Sequence, residues 1–441
     1  MRPTVVLFTR DLRVGDHPAL AAAAARGGPV VPLFVLDPAV LARSARNRTA
    51  YLLEALAELR DGLTAAGGDL VVREGDTVTE TLRVAAAADA GLVHLSADVS
   101  SFARDRAARL RERAGQAGVR VEEFPGVTVV PPGAVVPAGG GHYRVFTPYW
   151  RAWRACGWRE PVPAPRRLRL PEGIAPGRLP ATAPPGAGGT GRLSANRQQG
   201  GERRARRRMR AWLDSGIADY ERFHDDLAAA ATSQLSADLR FGCTSPLELA
   251  RAARDRPGGA PFVRQLAWRD FHHQVTAAFP GIGRRDYRPR DIAWRRDPGA
   301  LAAWCEGRTG VPIVDAGMRQ LLDEGFMHNR ARLITAAFLT RELRIHWTHG
   351  GDHFHALLTD GDIADNYGNW QWVAGTGNDT RPNRAFNLLR QAKRFDPDGA
   401  YVRRHVPELS GVRDRRVHTP WLLADPVAGY PPPLAVRAGG G

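Results

Sequence analysis

Short apolar segments alternate with amphipathic, alanine-rich segments over residues 4–123. Apolar segments of this length are typical of buried strands, and the longer amphipathic ones are typical of helices. The predicted strands are Val5–Phe8, Val30–Leu36, Leu70–Arg73, Leu92–Leu95 and Val119–Glu122, with helices near residues 17–26, 48–66, 77–89 and 102–117. This order predicts an α/β domain over residues 1–125, built on a parallel, five-stranded, Rossmann-like sheet.

The pattern changes twice after this domain. Residues 126–205 are rich in Pro, Gly and Arg and have little periodicity, which predicts an interdomain linker that wraps the surface. Residues 206–425 have the periodicity of helices, for example at Pro246–Ala253, Phe262–Ala278, Val314–Glu324 and Arg330–Leu343. Residues 426–441 are expected to form a short flexible tail. The basic segment Arg203–Arg210 is expected to open a helix with a solvated face, with phosphate contact as the alternative.

Composition adds a net charge of +16 over 441 residues. A basic surface suits a polyanion such as nucleic acid. Lys393 is the only lysine, however, so the excess of arginine also fits the codon bias of a GC-rich genome.

Three scattered cysteines, Cys156, Cys243 and Cys305, argue against a disulfide framework and against a zinc ribbon. Neither a signal peptide nor a membrane-spanning apolar segment is recognised, so a soluble, cytoplasmic protein is expected. The segment Thr9–Arg13 after the first predicted strand lacks the Gly-x-Gly-x-x-Gly pattern, so a classical NAD site is not expected. A ligand of this sheet is expected at the carboxyl ends of its strands.

The segment 360–372, Asp-Gly-Asp-Ile-Ala-Asp-Asn-Tyr-Gly-Asn-Trp-Gln-Trp, carries the most chemistry in the chain. Carboxylates, amides and indoles this close together are costly to bury unless a large, aromatic, polar-edged group lies beside them. Together with residues 268–271, 310–321 and 327–332 it resembles, in order and spacing, the photolyase/cryptochrome flavoproteins. The resemblance is closest to class I cyclobutane pyrimidine dimer (deoxyribodipyrimidine) photolyases of the actinobacterial, deazaflavin-antenna type. It implies that the helical half is an all-α FAD- and DNA-binding domain.

The residues themselves offer groups that suit a dinucleotide. Hydroxyls at 232–236 suit a pyrophosphate, although an ordinary capped helix needs the same residues. Arg269 lies on a partly apolar helix and needs an anion, and Arg332 can pair with Asp360. The resemblance implies that FAD, active as FADH⁻, is held by Tyr220, Thr232, Ser233, Gln234, Leu235, Ser236, Arg269, Asn329, Arg332, Phe354, Asp360, Asp362 and Asn366, with Asn366 facing the flavin N5.

The resemblance also implies an electron relay through Trp370, Trp347 and Trp294 to photoexcited, oxidised flavin. Easily oxidised rings close to one another are what such a relay requires. Tryptophans more often serve as core residues, which is the alternative for each of the three.

A flipped-out pyrimidine dimer needs aromatic walls and a few polar partners. By resemblance these are Trp268 and Trp372 as walls, with Asn329 and Arg330 as polar partners for base and phosphate, and with Gln265 and Leu333 beside them. Gln265 is typical of (6-4) photolyases, but that class needs histidine acids where this chain has Asn329 and Leu333. A neutral asparagine cannot supply the acid, so cyclobutane dimer repair, a carbon–carbon lyase reaction, is preferred over (6-4) repair.

The resemblance places a light-harvesting antenna on the sheet domain, at Arg10, Phe34, Val35, Arg48 and Asp98. The expected antenna is 8-hydroxy-5-deazaflavin, with methenyltetrahydrofolate as the alternative, and Ser100 replaces an acid of some deazaflavin binders. Phe34 and Val35 would be buried on a strand whatever they bind.

Other interpretations remain open at this point. A cryptochrome-type blue-light sensor shares the flavin residues, and a generic basic DNA-binding module leaves the acid- and tryptophan-rich motifs unexplained. His346, His349, His353 and His355 lack an accompanying Cys or carboxylate set, so no metal is expected. His272 and His273 are expected to be groove or packing residues and not catalysts. The expected partner is UV-damaged DNA, double- or single-stranded, bound by a monomer near the nucleoid and away from membranes.

Overall fold

The computed structural model describes residues 1–182, 192–229, 231–378 and 387–434. Its contacts divide the chain into two compact units. The first unit consists of Met1–Thr190, Gln198–Tyr220 and Ser233–Gly281, and the second of Gly191–Arg197, Glu221–Thr232 and Ile282–Gly441. Residues 183–191 of the predicted linker and 435–441 of the predicted tail lie outside the described residues.

The first unit contains the predicted parallel sheet. Its five strands, in the order β3-β2-β1-β4-β5, are β1 (Thr4–Leu7), β2 (Val30–Leu36), β3 (Val71–Glu74), β4 (Leu92–Ser96) and β5 (Arg120–Phe124). In register, Val6 of β1 lies beside Pro32 of β2 and His94 of β4. The fold-class prediction is confirmed, and each predicted strand is within two residues of its observed bounds.

Both faces of the sheet are buried, as a parallel sheet requires. Val6 and Phe34 point into one apolar cluster, while their neighbours Val5 and Val35 point into another. Helices of the first unit are α1 (Pro18–Ala25), α2 (Pro38–Leu41), α3 (Arg46–Ala65), α4 (Thr77–Ala87), α5 (Ser101–Gln116), α6 (Phe146–Ala155), α7 (Glu202–Ala211), α9 (Ser236–Phe241), α10 (Pro246–Arg254) and α11 (Gly259–Ala278). The short helix α8 (Tyr220–Phe223) begins at Tyr220, which is the last residue of the segment Gln198–Tyr220 of this unit.

The second unit is helical within the described residues. Its helices are α12 (Pro298–Cys305), α13 (Pro312–Glu324), α14 (Asn329–Ala337), α15 (Trp347–Leu357), α16 (Ile363–Ala374), α17 (Leu388–Phe395) and α18 (Ala400–His405). The single helix predicted over Arg330–Leu343 ends earlier, because a π-helical turn at Phe338–Glu342 follows α14. No helix in the described part of the chain is long and apolar enough to cross a membrane.

The C-terminal segment contacts α13. Tyr430 donates a hydrogen bond to Asp315 at 2.7 Å, and the Leu434 backbone N–H donates to the Thr309 carbonyl at 2.9 Å. Asp315 also accepts from the backbone of Thr309 and Gly310 at the start of α13. The described part of the segment predicted as a tail is therefore tied to the helical core.

The basic segment on α7 forms a helix as predicted, and much of its charge is neutralised within the first unit. Arg203 pairs with Asp61, Arg204 with Glu58, Arg206 with Glu202 and Glu248, and Arg208 with Asp238. These pairs favour a structural role for most of the arginines on this helix over phosphate contact.

Asp238 is the most buried acid among these pairs. Its carboxylate is fully buried and accepts hydrogen bonds from Tyr51 on α3, Gln198 and Arg208. Burial raises the pKa of Asp238, and the Arg208 guanidinium opposes that rise. Through Tyr51 and Arg208 this carboxylate joins α9 to α3 and α7, so it is a structural centre of the first unit.

We predict that Asp238→Ala lowers the free energy of unfolding by about 3–5 kcal/mol, because a buried pair loses one partner and Arg208 and Tyr51 lose their acceptor. Asp61→Ala is the matched control, since Asp61 pairs with Arg203 on the surface and its loss is expected to cost about 0.2–1 kcal/mol. Urea denaturation of both variants measures the difference. Equal destabilisation by the two substitutions would contradict the structural role of Asp238.

Candidate functional site

The acidic segment found in the sequence lies at the start of α16 in the second unit. Asp362 is the helix N-cap and accepts hydrogen bonds from the backbone N–H groups of Ala364 and Asp365. Asp360 accepts from Arg332 at 2.8 Å, which confirms the pair predicted from the sequence. Arg332 also donates to the Met327 carbonyl at 2.8 Å, so its side chain is fixed at two points.

One oxygen of Asp360 lacks a donor. Asp360 is 8% exposed, and its Oδ1 is buried without a hydrogen-bond partner among the described residues. A buried carboxylate oxygen left in this state is destabilising unless a ligand N–H or hydroxyl supplies the missing hydrogen bond. This acceptor therefore fits a polar ligand such as the imide edge or the hydroxylated chain of a flavin.

Asn366 follows one helical turn after Asp362. Its side-chain amide donates to the Gly351 carbonyl on α15 at 2.9 Å, which orients the amide. Phe354, on the same helix as Gly351, is 2% exposed and has its ring edge-on to Trp370 at 5.0 Å between centroids. The second unit thus holds a fixed arginine on α14, an acid with a spare acceptor in the segment before α16, and an oriented amide on α16.

The remaining residues predicted for FAD belong mostly to the first unit. Arg269 on α11 donates to the Val127 carbonyl at 2.7 Å. The Asp270 carboxylate lies 3.8 Å from the Arg269 guanidinium. The predicted need of Arg269 for an anion is thus partly met by its sequence neighbour. The others are Tyr220, Ser233, Gln234, Leu235 and Ser236 in the first unit, and Thr232 in the second.

The segment before α9 has the form of a local turn. The Ser233 hydroxyl accepts from the backbone N–H of Leu235 at 3.3 Å, and Gln234 has a left-handed backbone with φ of 50°. Tyr220 packs edge-on against Trp212 and Phe262. The phosphate role of these hydroxyls stays a prediction, because the turn accounts for the Ser233 contact.

All three tryptophans of the predicted relay lie in the second unit. Trp370 is 2% exposed, Trp347 is fully buried and Trp294 is half-buried. The His346 ring lies between two of them, 5.0 Å from the Trp294 ring and 5.5 Å from that of Trp347. Trp347 donates its indole N–H to Asp286 at 2.7 Å, an anion that stabilises positive charge on this ring.

Sequence reasoning missed other aromatic residues beside this relay. Trp304 on α12 is fully buried, with its ring 6.0 Å from Trp370 and parallel to Phe354 at 5.9 Å. Tyr367 lies one turn before Trp370 on α16, with its ring 6.3 Å from Trp347. Tyr367 stands inside the motif at 360–372, which was the signal available for finding it.

Residues predicted to contact a lesion divide between the units. In the first unit Gln265 is exposed, and the half-buried Trp268 stacks face-to-face on Phe146 at 3.6 Å between centroids. Phe146 stands at the start of α6, in the segment predicted as a linker, and was not foreseen. Its contact occupies one face of the Trp268 indole and fixes the ring.

In the second unit Asn329 is exposed, while Leu333 and Trp372 are half-buried. Arg330 forms a bidentate pair with Asp225 at 2.7 and 2.6 Å, and its guanidinium lies 4.3 Å from the centre of the Phe395 ring. Asp225 neutralises part of the positive charge that the sequence assigned to a DNA phosphate.

The residues predicted for an antenna gather at the carboxyl edge of the sheet, where ligands of such sheets bind. Arg10 follows β1, and its guanidinium lies 3.5 Å from Asp98, which follows β4. Phe34 and Val35 are buried near the end of β2, and Arg48 is buried in α3. A further arginine here, Arg106 on α5, was not foreseen from the sequence. Burial lowers the pKa of Arg106, and the negative charge of the nearby Asp98 opposes this shift.

The histidines of α15 occupy packing positions. His346 caps the helix by accepting from the Thr348 backbone N–H. His353 lies 5.6 Å from Trp304 between ring centres, and burial lowers its pKa to about 4. His355 lies 6.0 Å from Tyr367. In the first unit His272 and His273 are buried on α11, and His273 contacts the Arg269 carbonyl at 2.9 Å.

Comparison with protein families gives two matches. Residues 262–435 match the model described as the FAD binding domain of DNA photolyase, and residues 4–166 match the model described as DNA photolyase. A deoxyribodipyrimidine photo-lyase of Streptomyces griseus is 49% identical, over 96% of this chain and 93% of that protein.

Solved structures give the same fold. A cryptochrome of Synechocystis sp. PCC6803 aligns with a TM-score of 0.92 and 26% identity, covering 99% of this chain and 97% of that one. An archaeal photolyase of Sulfolobus tokodaii, solved with two FAD molecules, aligns with a TM-score of 0.85 and 28% identity, covering 98% and 96%.

Asp270 supplies a test of the first unit's core. It accepts from the backbone N–H groups of Val129 and Val130 and from the Trp153 indole, and burial raises its pKa to about 6. Because the folded chain holds this proton more tightly than the unfolded chain, the contribution of Asp270 to stability is greatest below about pH 4. It is lost as pH rises through about 6.

We predict that wild type loses up to about 3 kcal/mol relative to Asp270→Asn between pH 4 and pH 7, the equivalent of a two-unit pKa difference. The asparagine variant has no proton to exchange at this position, so other titrating groups cancel in the comparison. Urea denaturation of both proteins at several pH values measures the difference. A difference that is constant with pH would contradict the raised pKa.

Proposed function

This chain belongs to the DNA photolyase family, and on that premise we propose that it is a deoxyribodipyrimidine photo-lyase that repairs cyclobutane pyrimidine dimers in DNA under light. The observation that carries the proposal is the Arg332–Asp360 pair, with its unpaired, buried carboxylate oxygen, six residues before the oriented Asn366. This set of donors and acceptors fits the polar edge of a flavin, and the family model that covers it is an FAD-binding one.

FAD, when bound in its reduced form, supplies on absorbing light the electron that opens the cyclobutane ring, and receives it back. The residues of the chain bind and orient it. Asp360 would accept a hydrogen bond from the cofactor through its buried Oδ1, and the positive charge of Arg332 would favour the anionic form of the ring. Asn366 offers a neutral amide whose orientation is fixed by Gly351. For the other predicted FAD residues, the support is the resemblance of their positions.

UV-damaged DNA is the proposed substrate. The net charge of +16 suits a polyanion, and the support for a base-binding role of Trp268 is its ring held flat against Phe146. Trp372, Asn329 and Leu333 are solvent-accessible on the second unit, as lesion contacts require. Arg330 can bind a DNA phosphate only in competition with Asp225, which already pairs with it.

Lesion type is proposed from side-chain chemistry. Gln265 and Asn329 can hydrogen-bond pyrimidine carbonyls, but neither can donate a proton as a general acid. Repair of a (6-4) photoproduct needs such an acid, whereas reversal of a cyclobutane dimer by one electron does not. Cyclobutane dimers are therefore the preferred substrate.

For the antenna we propose 8-hydroxy-5-deazaflavin at the carboxyl edge of the sheet. Arg10, Arg48 and Arg106 bring N–H donors that suit an anionic chromophore to this edge, where Asp98 is a counter-ion of Arg10 and lies near Arg106. Methenyltetrahydrofolate is the alternative, and the Sulfolobus tokodaii relative, solved with two FAD molecules, adds a flavin as another. Release of the chromophore by denaturation and mass spectrometry identifies which one co-purifies.

A repair assay on DNA that carries cyclobutane dimers or (6-4) photoproducts tests the proposed function. We predict that the purified, reduced holoprotein removes cyclobutane dimers from irradiated oligonucleotides only under illumination and leaves (6-4) photoproducts intact. A protein that binds FAD but repairs neither lesion would favour the cryptochrome-type sensor, which its likeness to the Synechocystis cryptochrome keeps as the second candidate. A protein that takes up no FAD would contradict both.

The aromatic wall has its own test. We predict that Trp372→Ala weakens binding of dimer-containing DNA relative to undamaged DNA by about 1–3 kcal/mol, the value of one base-stacking contact. Fluorescence anisotropy with both oligonucleotides measures this. Trp150→Ala, which removes a half-buried tryptophan stacked on Trp153 in the first unit, is the control and should leave the ratio unchanged.

The relay is tested at its most exposed member. We predict that Trp294→Phe slows photoreduction of bound, oxidised FAD and leaves repair by chemically reduced holoprotein unchanged, because repair needs no electron from the relay. Absorbance during illumination with a thiol reductant measures photoreduction. Trp150→Phe is the matched control, and equal rates in the two variants would contradict a relay through Trp294.

A further inference from the structure

Tyr367 is a buried tyrosine whose hydrogen-bond partner is a carboxylate. It is 4% exposed, and its phenol O–H donates to the Asp352 carboxylate at 2.6 Å. Arg284 donates to both oxygens of the same carboxylate, at 2.9 and 2.7 Å. The buried phenol therefore faces a carboxylate held in place by a cation, and the carboxylate side chain is itself 45% exposed.

The Tyr367 ring is also fixed beside the proposed relay. Its centre lies 6.3 Å from that of Trp347, with the two rings at 72°. A Cβ atom added at Gly351 would lie 2.9 Å from the Tyr367 ring, and one at Gly283 would lie 3.2 Å from it. The two glycines thus hold the ring close to backbone on both sides, and little movement is open to it.

Oxidation of a phenol is coupled to loss of its proton, because the phenol becomes a strong acid when an electron is removed. A neutral tyrosine has a pKa near 10 and keeps its proton until that moment. A carboxylate already in hydrogen-bond contact is a ready acceptor for it. Tyr367 therefore has an electron acceptor within reach, if Trp347 is oxidised, and a proton acceptor in contact.

Two other buried tyrosines, Tyr401 and Tyr51, lack this combination. Tyr401 donates to the amide oxygen of Gln320, which is not a base. Tyr51 donates to Asp238, but the ring stacked on it is Phe241, which is hard to oxidise. Tyr51, Tyr367 and Tyr430 each donate to a carboxylate, and of these three Tyr367 has a tryptophan ring beside it.

We propose that Tyr367 is a further redox-active residue, which returns one electron to oxidised Trp347 and passes its phenolic proton to Asp352. The O–H bond of Tyr367 breaks and a new O–H bond forms on Asp352. The products are neutral Trp347, a neutral tyrosyl radical and a protonated carboxyl group. A thiol reductant in solution later returns an electron to Tyr367, and Asp352 returns the proton.

This inference rests on the proposed function, since photoexcited, oxidised FAD is the oxidant that draws the electron through Trp370 from Trp347. It adds a second branch at Trp347. One branch leads past His346 to Trp294, and the other ends at Tyr367. The partly exposed Asp352 connects the second branch to solvent for proton exchange.

Flash photolysis of the holoprotein with oxidised FAD tests the proposal, followed by transient absorption and electron paramagnetic resonance. We expect a tryptophan radical cation to form first, then a tyrosyl radical whose formation is slower in D₂O. Tyr367→Phe, which keeps the ring and removes the hydroxyl, should lose the tyrosyl signal and prolong that of the tryptophan. Asp352→Asn, which removes the base, should do the same.

Tyr401→Phe is the matched control, because it removes the hydroxyl of another buried tyrosine in the same unit. It should leave both radical signals as in wild type. A tryptophan signal that decays equally in wild type and in Tyr367→Phe overturns the inference alone. A flash that yields no oxidised tryptophan overturns the electron relay of the proposed function, and the inference with it.

Combining the variants gives a second readout. We expect slow photoreduction to persist in Trp294→Phe through Tyr367, and to be lost when Tyr367→Phe is added. If bound FAD is photoreduced as fast in the double variant as in Trp294→Phe alone, Tyr367 donates no electron and the branch does not exist.

Discussion

The close approach of α15 and α16 is the constraint on which the proposed chemistry of the second unit depends. Two successive glycines, Gly350 and Gly351, allow it. A Cβ atom at Gly350 would lie 2.1 Å from the Trp370 ring, and one at Gly351 would lie 2.9 Å from Tyr367. Asn366 donates to the Gly351 carbonyl in the same region. One backbone surface therefore positions the amide assigned to the flavin, the first tryptophan of the relay and the tyrosine of the proposed branch.

Several arginines that the sequence made available to DNA pair with acids of this chain, whereas the carboxylate of Asp360 is paired only in part. The arginines of α7 pair with acids of their own unit, and Arg330 pairs with Asp225, so the number of arginines overstates the positive surface available to DNA. Asp360 differs, because Arg332 satisfies one of its oxygens and leaves the other buried without a donor. A binding site is expected where a buried polar group is incompletely paired. Folding has already removed water from that group, so a ligand that supplies the missing hydrogen bond binds without a further desolvation cost for it.

The sequence predicted the sheet well because strand and helix periodicity are local properties. Its five strands were located within two residues, and the Arg332–Asp360 pair followed from the motifs. What it missed depends on contacts between distant segments. The stacking of Phe146 on Trp268 joins residues in different helices, and no periodicity reports it. The π-helical turn after α14 and the partner of Arg330 likewise depend on tertiary packing.

The two carboxylates beside the relay differ in what they can do to a radical. Asp286 accepts from the Trp347 indole N–H and so stabilises positive charge on the ring. That contact lowers the driving force for Trp347 to oxidise a neighbour. Asp352 acts on the opposite side of the step, because it takes a proton from Tyr367 and makes phenol oxidation easier. Transfer from Tyr367 to Trp347 is therefore favoured only when the proton moves with the electron, which is why the branch depends on Asp352 rather than on ring contact alone.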